Sequence, residues 1–173
     1  MTKTKQEHFL KLYEPIHDRF ERFCRARVFG DMDYRDLMNE TLLVAFNKFD
    51  SLRSESAFLS FLFGISVRII GNQLQKKKEQ RFSRDWIEPT DFGDQTLERA
   101  DVYFLHQALA NLPEEQRECL ILFEISGFSI KEIMEIQSSS ESAVKQRLKR
   151  GRERLTELVT FEAKVDKKEG ING

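Results

Sequence analysis

The 173-residue chain has two cysteines, Cys24 and Cys119, set far apart and in no CxxC or other metal-ligand spacing. Nothing else supports an inter-segment redox pair. Apolar, helix-like neighbours assign both thiols to core packing in a reducing cytoplasm. The chain also lacks a net charge of either sign. Its 28 basic and 29 acidic residues leave −1, so overall charge does not mark a nucleic-acid binder and its distribution must decide. There is no glycine-rich phosphate loop. His8, His17 and His106 have no partner at metal or triad spacing, and the carboxylates fall on solvated helix faces or in one acidic stretch. No catalytic constellation or cofactor site is expected. The opening "MTKTKQEHFL" is charged without an apolar run, so no secretion signal is expected. Strand alternation persists nowhere.

Long hydrophobic runs are missing too. The greasiest segment, Ala57 to Gly71, has fifteen residues with Arg68 inside, whereas a spanning helix needs ~20 apolar residues. It carries two stripes. Phe58, Phe61/Leu62, Ile65 and Ile69 form one, and Phe63, Val67, Ile70 and Leu74 form the other. A helix apolar on two faces belongs inside a bundle, so no membrane insertion is expected. Lys76, Lys77 and Lys78 come after four further residues, with Arg81 beyond, and suit a polyanion.

What remains is helix. Residues 6–29 carry Phe9, Leu10, Tyr13, Ile16, Phe20, Phe23, Cys24 and Ala26/Val28 at helical spacing, and Gly30-Asp31 reads as a stop. Asp33 is a predicted N-cap for a helix over 34–49 that buries Leu37, Leu42, Val44/Ala45, Phe46 and Phe49. The polar loop "DSLRSES" follows, with Ser54 or Ser56 expected to cap the greasy helix. Fifteen Phe and 40% apolar residues suffice for a modest core. After Arg81 the stretch 85–101 sets six acids against Arg99 and includes Pro89 and Gly93, predicting a flexible acidic linker over 82–96. A helix over 98–110 comes next. Pro113 then fits the first turn of another, which Gly127 stops. Ser129 and Glu132 spell a capping box, "QSSS" is a short turn, and a last helix runs from about Ser140 to at least Val159. A frayed tail is expected over 161–173.

A short capped helix, a serine turn and a longer basic helix make a helix-turn-helix. On the last helix Val144, Leu148, Gly151/Arg152, Leu155 and Leu158/Val159 recur every three to four residues, with Gly151 permitting close approach. From Ser142 to Arg154 six cations meet one acid, a local charge of +5. Basic amphipathic helices are often only solvated faces. The preceding capped helix and turn favour nucleic acid instead, because a helix ~10–12 Å across fits the DNA major groove. Lys145, Gln146, Lys149 and Arg150 can present donors to base edges.

The two halves together resemble the extracytoplasmic-function (ECF) sigma factors of bacterial RNA polymerase. In the first half Asp36, Leu37, Glu40, Arg53, Ser56, Phe58, Leu62 and Ile65 match the family pattern. In the second, "NLPEEQRE", Gly127-x-Ser129, Glu132-Ile133 and "VKQRLKRGRERL" match in order and spacing. The resemblance implies an all-α protein: a three- or four-helix sigma-2 domain over 6–81 and a sigma-4 helix-turn-helix domain over 97–160. It implies that Asp36, Asn39 and Glu40 dock on the polymerase beta-prime clamp, whose basic surface suits acidic groups. It implies that Leu52, Arg53 and Ser54 lie in a loop capturing a flipped base of the −10 element. Arg68, Asn72 and Gln73 would lie near −10 bases, and Lys76 and Lys77 would hold phosphates. Lys145, Gln146, Lys149 and Arg150 would read the −35 element, with Arg147 and Arg152 on its backbone. Implied partners are core RNA polymerase (beta-prime clamp and beta flap), promoter DNA and an anti-sigma factor. Asn39 stands where the family commonly has Gln, Leu52 where it has Phe, and Phe123 where Arg is frequent. The competing readings are a stand-alone helix-turn-helix regulator, an enzyme, and a purely protein-binding helical module.

Overall fold

The computed structural model describes residues 2–28, 32–81 and 97–169, with side chains from Thr4 to Phe161 apart from Lys78, Arg81 and residues 97–103. Every regular element among the described residues is helical. The acidic linker over 82–96 and the stop at Gly30-Asp31 lie outside them.

The first predicted helix is two. α1 (Thr2–Tyr13) gives way to a 3₁₀ turn at Glu14–Ile16, and α2 (His17–Arg27) follows. Pro15 is the cause: its ring removes a backbone donor and crowds the preceding turn. The break shifts the apolar stripe. Phe9, Tyr13, Phe20, Phe23, Cys24 and Ala26 are buried, while Leu10 stays half exposed. α3 (Tyr34–Asn47) begins at the Asp33 cap, whose Oδ1 accepts the Arg35 amide at 2.7 Å. It ends before Phe49, which is buried from a 3₁₀ turn instead. Ser54 and Ser56 do not cap α4 (Phe58–Arg81). Their hydroxyls bond each other at 2.9 Å, and the chain enters the helix through a 3₁₀ turn at Glu55–Ala57.

The greasy run is longer than the sequence reading allowed. Glu55–Lys77 is long and apolar enough to cross a membrane by length and composition. In the fold it is the central core helix. Phe58, Leu62, Phe63, Ile65, Ser66, Ile69 and Ile70 are buried between α3 on one side and the second half of the chain on the other.

The second half comprises α5 (Leu97–Ala110), α6 (Glu114–Leu120), α7 (Ile130–Gln137) and α8 (Glu141–Glu169). α6 continues into a wider π turn, Ile121–Ile125, in which the Ser126 amide reaches back five residues to the Ile121 carbonyl. Gly127 follows with φ +70°, the left-handed conformation that glycine adopts without steric cost. α7 carries the expected capping box. The Ser129 Oγ accepts the Glu132 amide at 3.2 Å, and the Glu132 carboxylate accepts the Ser129 amide at 2.8 Å. α8 continues as helix to Glu169, past residue 161 where fraying was expected.

The two halves are packed together. Phe128 inserts against Phe63 of α4, ring centroids 4.6 Å apart at 70°. The Arg19 guanidinium of α2 lies 4.0 Å from the centre of the same ring, and its Nε donates to the Ser126 carbonyl. The Ser60 hydroxyl of α4 donates to Glu135 of α7 at 3.2 Å. One continuous apolar cluster therefore runs from Phe9 through Phe63 to Leu148.

Candidate nucleic-acid interface

α8 is held by its inner face. Val144 and Leu148 are buried, and Gly151 sits so close to α6 that a Cβ there would meet Leu120 Cδ1 at 3.0 Å. That glycine lets the two helices approach, as the sequence suggested. The turn before α8 is fixed by backbone. Ser138 takes φ 49°, ψ 48°, and the Ser139 amide bonds the Met134 carbonyl at 3.0 Å. The left-handed conformation costs a non-glycine residue roughly 1–2 kcal/mol. Ser138→Gly is therefore expected to stabilise the fold by up to about 1 kcal/mol, since glycine also loses more entropy on folding. An unchanged or lowered urea midpoint would contradict it. The Ser140 hydroxyl accepts the Ala143 amide at 3.3 Å at the start of α8.

The cations of α8 divide into two groups. Lys145 pairs with Glu141 one turn earlier, and its hydrogen bond holds that carboxyl below the usual range. Arg147 is half-buried and bonds Gln137 Oε1 at 3.1 Å, Ser139 Oγ at 2.6 Å and the Glu115 carboxylate at 3.1 Å. Arg152 makes two bonds to Glu124, at 2.8 and 2.6 Å, and lies over the Phe123 ring. Gln146, Lys149 and Arg150 stay exposed on the outer side. Arg150 lines an open groove of about 520 Å³ with Arg154, Glu153 and the α5–α6 turn.

In the first half, Asp36, Asn39 and Glu40 are exposed on α3. Gln73 of α4 donates to Glu40 Oε2 at 3.2 Å, so two groups assigned separately from the sequence are neighbours. Arg68, Asn72 and Lys76 are exposed along α4, and Lys77 is partly exposed. The loop with Leu52, Arg53 and Ser54 is anchored at both ends by α1. Lys5 Nζ meets Asp50 at 2.6 Å, and His8 Nε2 meets Glu55 at 2.7 Å, with the His8 ring edge-on to Phe49. Leu52 is half-buried, and Arg53 and Ser54 are exposed. Sequence reading missed these tethers because their partners are 45 and 47 positions away.

Both thiols are buried. Desolvation raises Cys24 well above the thiol range and pushes Cys119 up to about 11. Neither is a nucleophile in this setting. One histidine reading needs amending. His17, Asp18 and Glu21 on α2 bring their ligating atoms within 4.8 Å. The His17 Nδ1 is engaged by the Tyr13 hydroxyl at 2.9 Å, and Glu21 is engaged by Arg25 at 2.8 Å.

A short capped helix, a fixed turn and a longer helix with exposed cations form a helix-turn-helix module. Residues 105–155 match the family "Sigma-70, region 4". The chain is 30% identical over 133 residues to the ECF RNA polymerase sigma factor EcfG of Rhodopseudomonas palustris, covering 76% of this chain and 74% of that protein. SigM of Mycobacterium tuberculosis, another ECF sigma factor, is 26% identical over 154 residues, covering 88% and 78%. Among solved structures, the sigma factor RpoE from Bartonella quintana, crystallised with the anti-sigma factor NepR, superposes with a TM-score of 0.68 at 28% identity, over 92% of this chain and 98% of that one. The chain belongs to the ECF RNA polymerase sigma factors, and its function is that of an alternative sigma factor.

Proposed function

We infer that the protein binds core RNA polymerase through α3 and directs initiation from promoters whose −35 duplex is read by α8 and whose melted −10 strand is held by α4 and the 52–54 loop. The observation that carries this reading is the outward set Gln146, Lys149 and Arg150 on a helix otherwise locked by burial and ion pairs. Direct readout needs donors that are both rigidly placed and unburied. Arg147 and Arg152, expected on the DNA backbone, hold α8 to α6, α7 and the π turn, and any phosphate contact they make is shared with Glu115 and Glu124. Lys145 can reach bases by leaving Glu141, since an ion pair between solvent-exposed groups is weak.

At the −10 element, extracting a base costs a few kcal/mol. A loop clamped at Asp50 and Glu55 is already ordered when the base arrives, which spares the entropy of fixing it then. Arg68 and Asn72 are exposed further along α4, and Lys76 and Lys77 add positive charge for the strand. Asp36, Asn39 and Glu40 give α3 an acidic exposed face suited to a basic partner. The domain division at 6–81, 82–96 and 97–160 is part of this proposal, as are the beta-prime clamp and beta flap as polymerase contacts. A soluble cytoplasmic location and action by binding alone, without catalysis or cofactor, complete it. Since RpoE is held by an anti-sigma factor, an anti-sigma partner is proposed here as well.

The test is transcription in vitro with core polymerase from the source organism on a fragmented genomic library. Defined starts sharing two upstream elements are expected. DNA binding without starts would favour a stand-alone regulator. Lys149→Ala and Arg150→Ala are each expected to weaken −35 recognition by ~1–3 kcal/mol per lost base contact. Equal loss on every sequence would reduce these residues to phosphate contacts. Glu40→Lys is expected to abolish co-elution with core polymerase while leaving the circular dichroism spectrum unchanged. Normal co-elution would remove α3 from the interface.

A further inference from the structure

We propose that Gln137, the last residue of α7, is a positioning residue for −35 recognition: its amide joins the buried Glu118 of α6 to Arg147 of α8 and sets the rotation of the recognition helix. The proposal deepens the sigma-factor reading above and rests on it.

Three polar side chains meet where α6, α7 and α8 come together. Glu118 is buried. Its Oε1 accepts from Gln137 Nε2 at 2.8 Å. Its Oε2 lies 3.3 Å from Nη2 of Arg27, whose side chain is 1% exposed and also bonds Glu114. Gln137 Oε1 accepts from Arg147 Nη1 at 3.1 Å, and the same guanidinium reaches Ser139 in the turn and Glu115 on α6. The chemistry of the middle position is narrow. A carboxylate paired with Arg27 only accepts, and a guanidinium only donates. The side chain between them must donate at one end and accept at the other. An amide does both, whereas a carboxylate, an ammonium or an apolar side chain does not. Gln137 therefore fits with its amide in one orientation.

Directional contacts matter here because the inner seat of α8 is apolar. Val144 and Leu148 are buried, and Gly151 lets α8 approach Leu120. Such contacts reward closeness and are non-directional, so they leave rotation about the helix axis weakly fixed. Successive residues on a helix are turned by ~100°. Arg147 follows Gln146 directly and shortly precedes Lys149 and Arg150, so a rotation that releases its guanidinium re-aims all three exposed donors. Bidentate reading of base edges depends on that aim. Gln137 acts through Arg147 and need touch no base itself.

The test uses holoenzyme and a promoter recovered from the genomic library. It measures the ratio of initiation on the parent sequence to initiation on versions with single-base substitutions in the −35 element. Substitutions in the −10 element supply the internal reference. Gln137→Glu keeps the shape, loses the donor and sets a second acid against Glu118. Gln137→Met keeps the length, removes both functions and adds no charge, so it carries the measurement should Gln137→Glu fail to fold. Each is expected to lower the largest −35 ratio about 10-fold, the scale of one lost bidentate base contact, and to leave the −10 ratios unchanged. The double variant E118Q/Q137E puts the donor on α6 and the acceptor on α7, and is expected to bring the −35 ratio back to within about 2-fold of wild type. A merely structural residue would lower initiation on every sequence alike. Unchanged −35 ratios in the single variants, equal falls at −35 and −10, or a double variant no better than the single ones would overturn the proposal. A wild-type protein without −35 dependence would instead overturn the reading of α8, and the wild-type reaction shows this before any variant is made.

Discussion

Arg27→Ala is expected to destabilise the folded protein by about 3–5 kcal/mol, the range for breaking a buried ion pair by removing one member. The magnitude follows from what stays behind. Glu118 is buried, and burial already raises its pKa; Arg27 and the Gln137 amide oppose that rise. Without the guanidinium the carboxylate keeps only Gln137 at 2.8 Å. Glu114 loses less, because it is partly exposed and keeps Arg117. Removing the second charge should restore part of the loss. Arg27→Met with Glu118→Gln should therefore be more stable than the sum of the single effects, a coupling that a double-mutant cycle in urea measures directly. Additive effects, or a loss below about 1 kcal/mol for Arg27→Ala, would mean that solvent reaches this cluster.

The second large effect is expected at Phe63. Its ring is fully buried among Phe20 at 5.3 Å, Phe23 at 5.0 Å and Phe128 at 4.6 Å. Phe63→Ala removes contacts on three sides and should cost about 3–5 kcal/mol. The first two partners belong to α2 and the third to the other half of the chain, so the variant should lose internal stability and docking together. Phe63→Leu keeps most of the volume and should cost only about 1 kcal/mol. Urea unfolding followed by circular dichroism distinguishes these outcomes. Equal midpoints for the two variants would show that the site collapses around the missing ring.

The parts of this fold legible in the sequence are those set by chemistry within a few residues. The Asp33 cap and the Ser129–Glu132 box are local hydrogen bonds, and both form as spelled. The inner stripe of α8 follows from helical period, and Gly151 from its place on that stripe. Two irregularities were hidden by the same period. Apolar spacing continues across Pro15, so it read as one helix. The π turn at Ile121–Ile125 leaves the apolar content of its segment unchanged. The site was legible as a list of residue types and not as a set of pairings. Arg147 finds partners 8 and 10 positions away, and Arg152 finds its partner 28 away. Arg27 ends α2, and its acceptors lie 87 and 91 residues on. Contacts between halves depend on how whole helices meet, and no local pattern encodes that.

The ion pairs on α8 also govern how the protein meets its ionic surroundings. DNA binding by cationic helices is driven largely by the release of condensed counterions, one set for each phosphate neutralised. Lys145, Arg147 and Arg152 already have their own carboxylates in Glu141, Glu115 and Glu124. They must exchange an internal anion for an external one, so their charge is partly spent before DNA arrives. The helix that looks like a strong polycation on paper is a weak one in the fold. Its hold on bulk chromosomal DNA is therefore expected to be loose, with a salt dependence set by its uncommitted cations. A protein of this kind is expected to remain available to polymerase rather than be titrated by non-specific DNA.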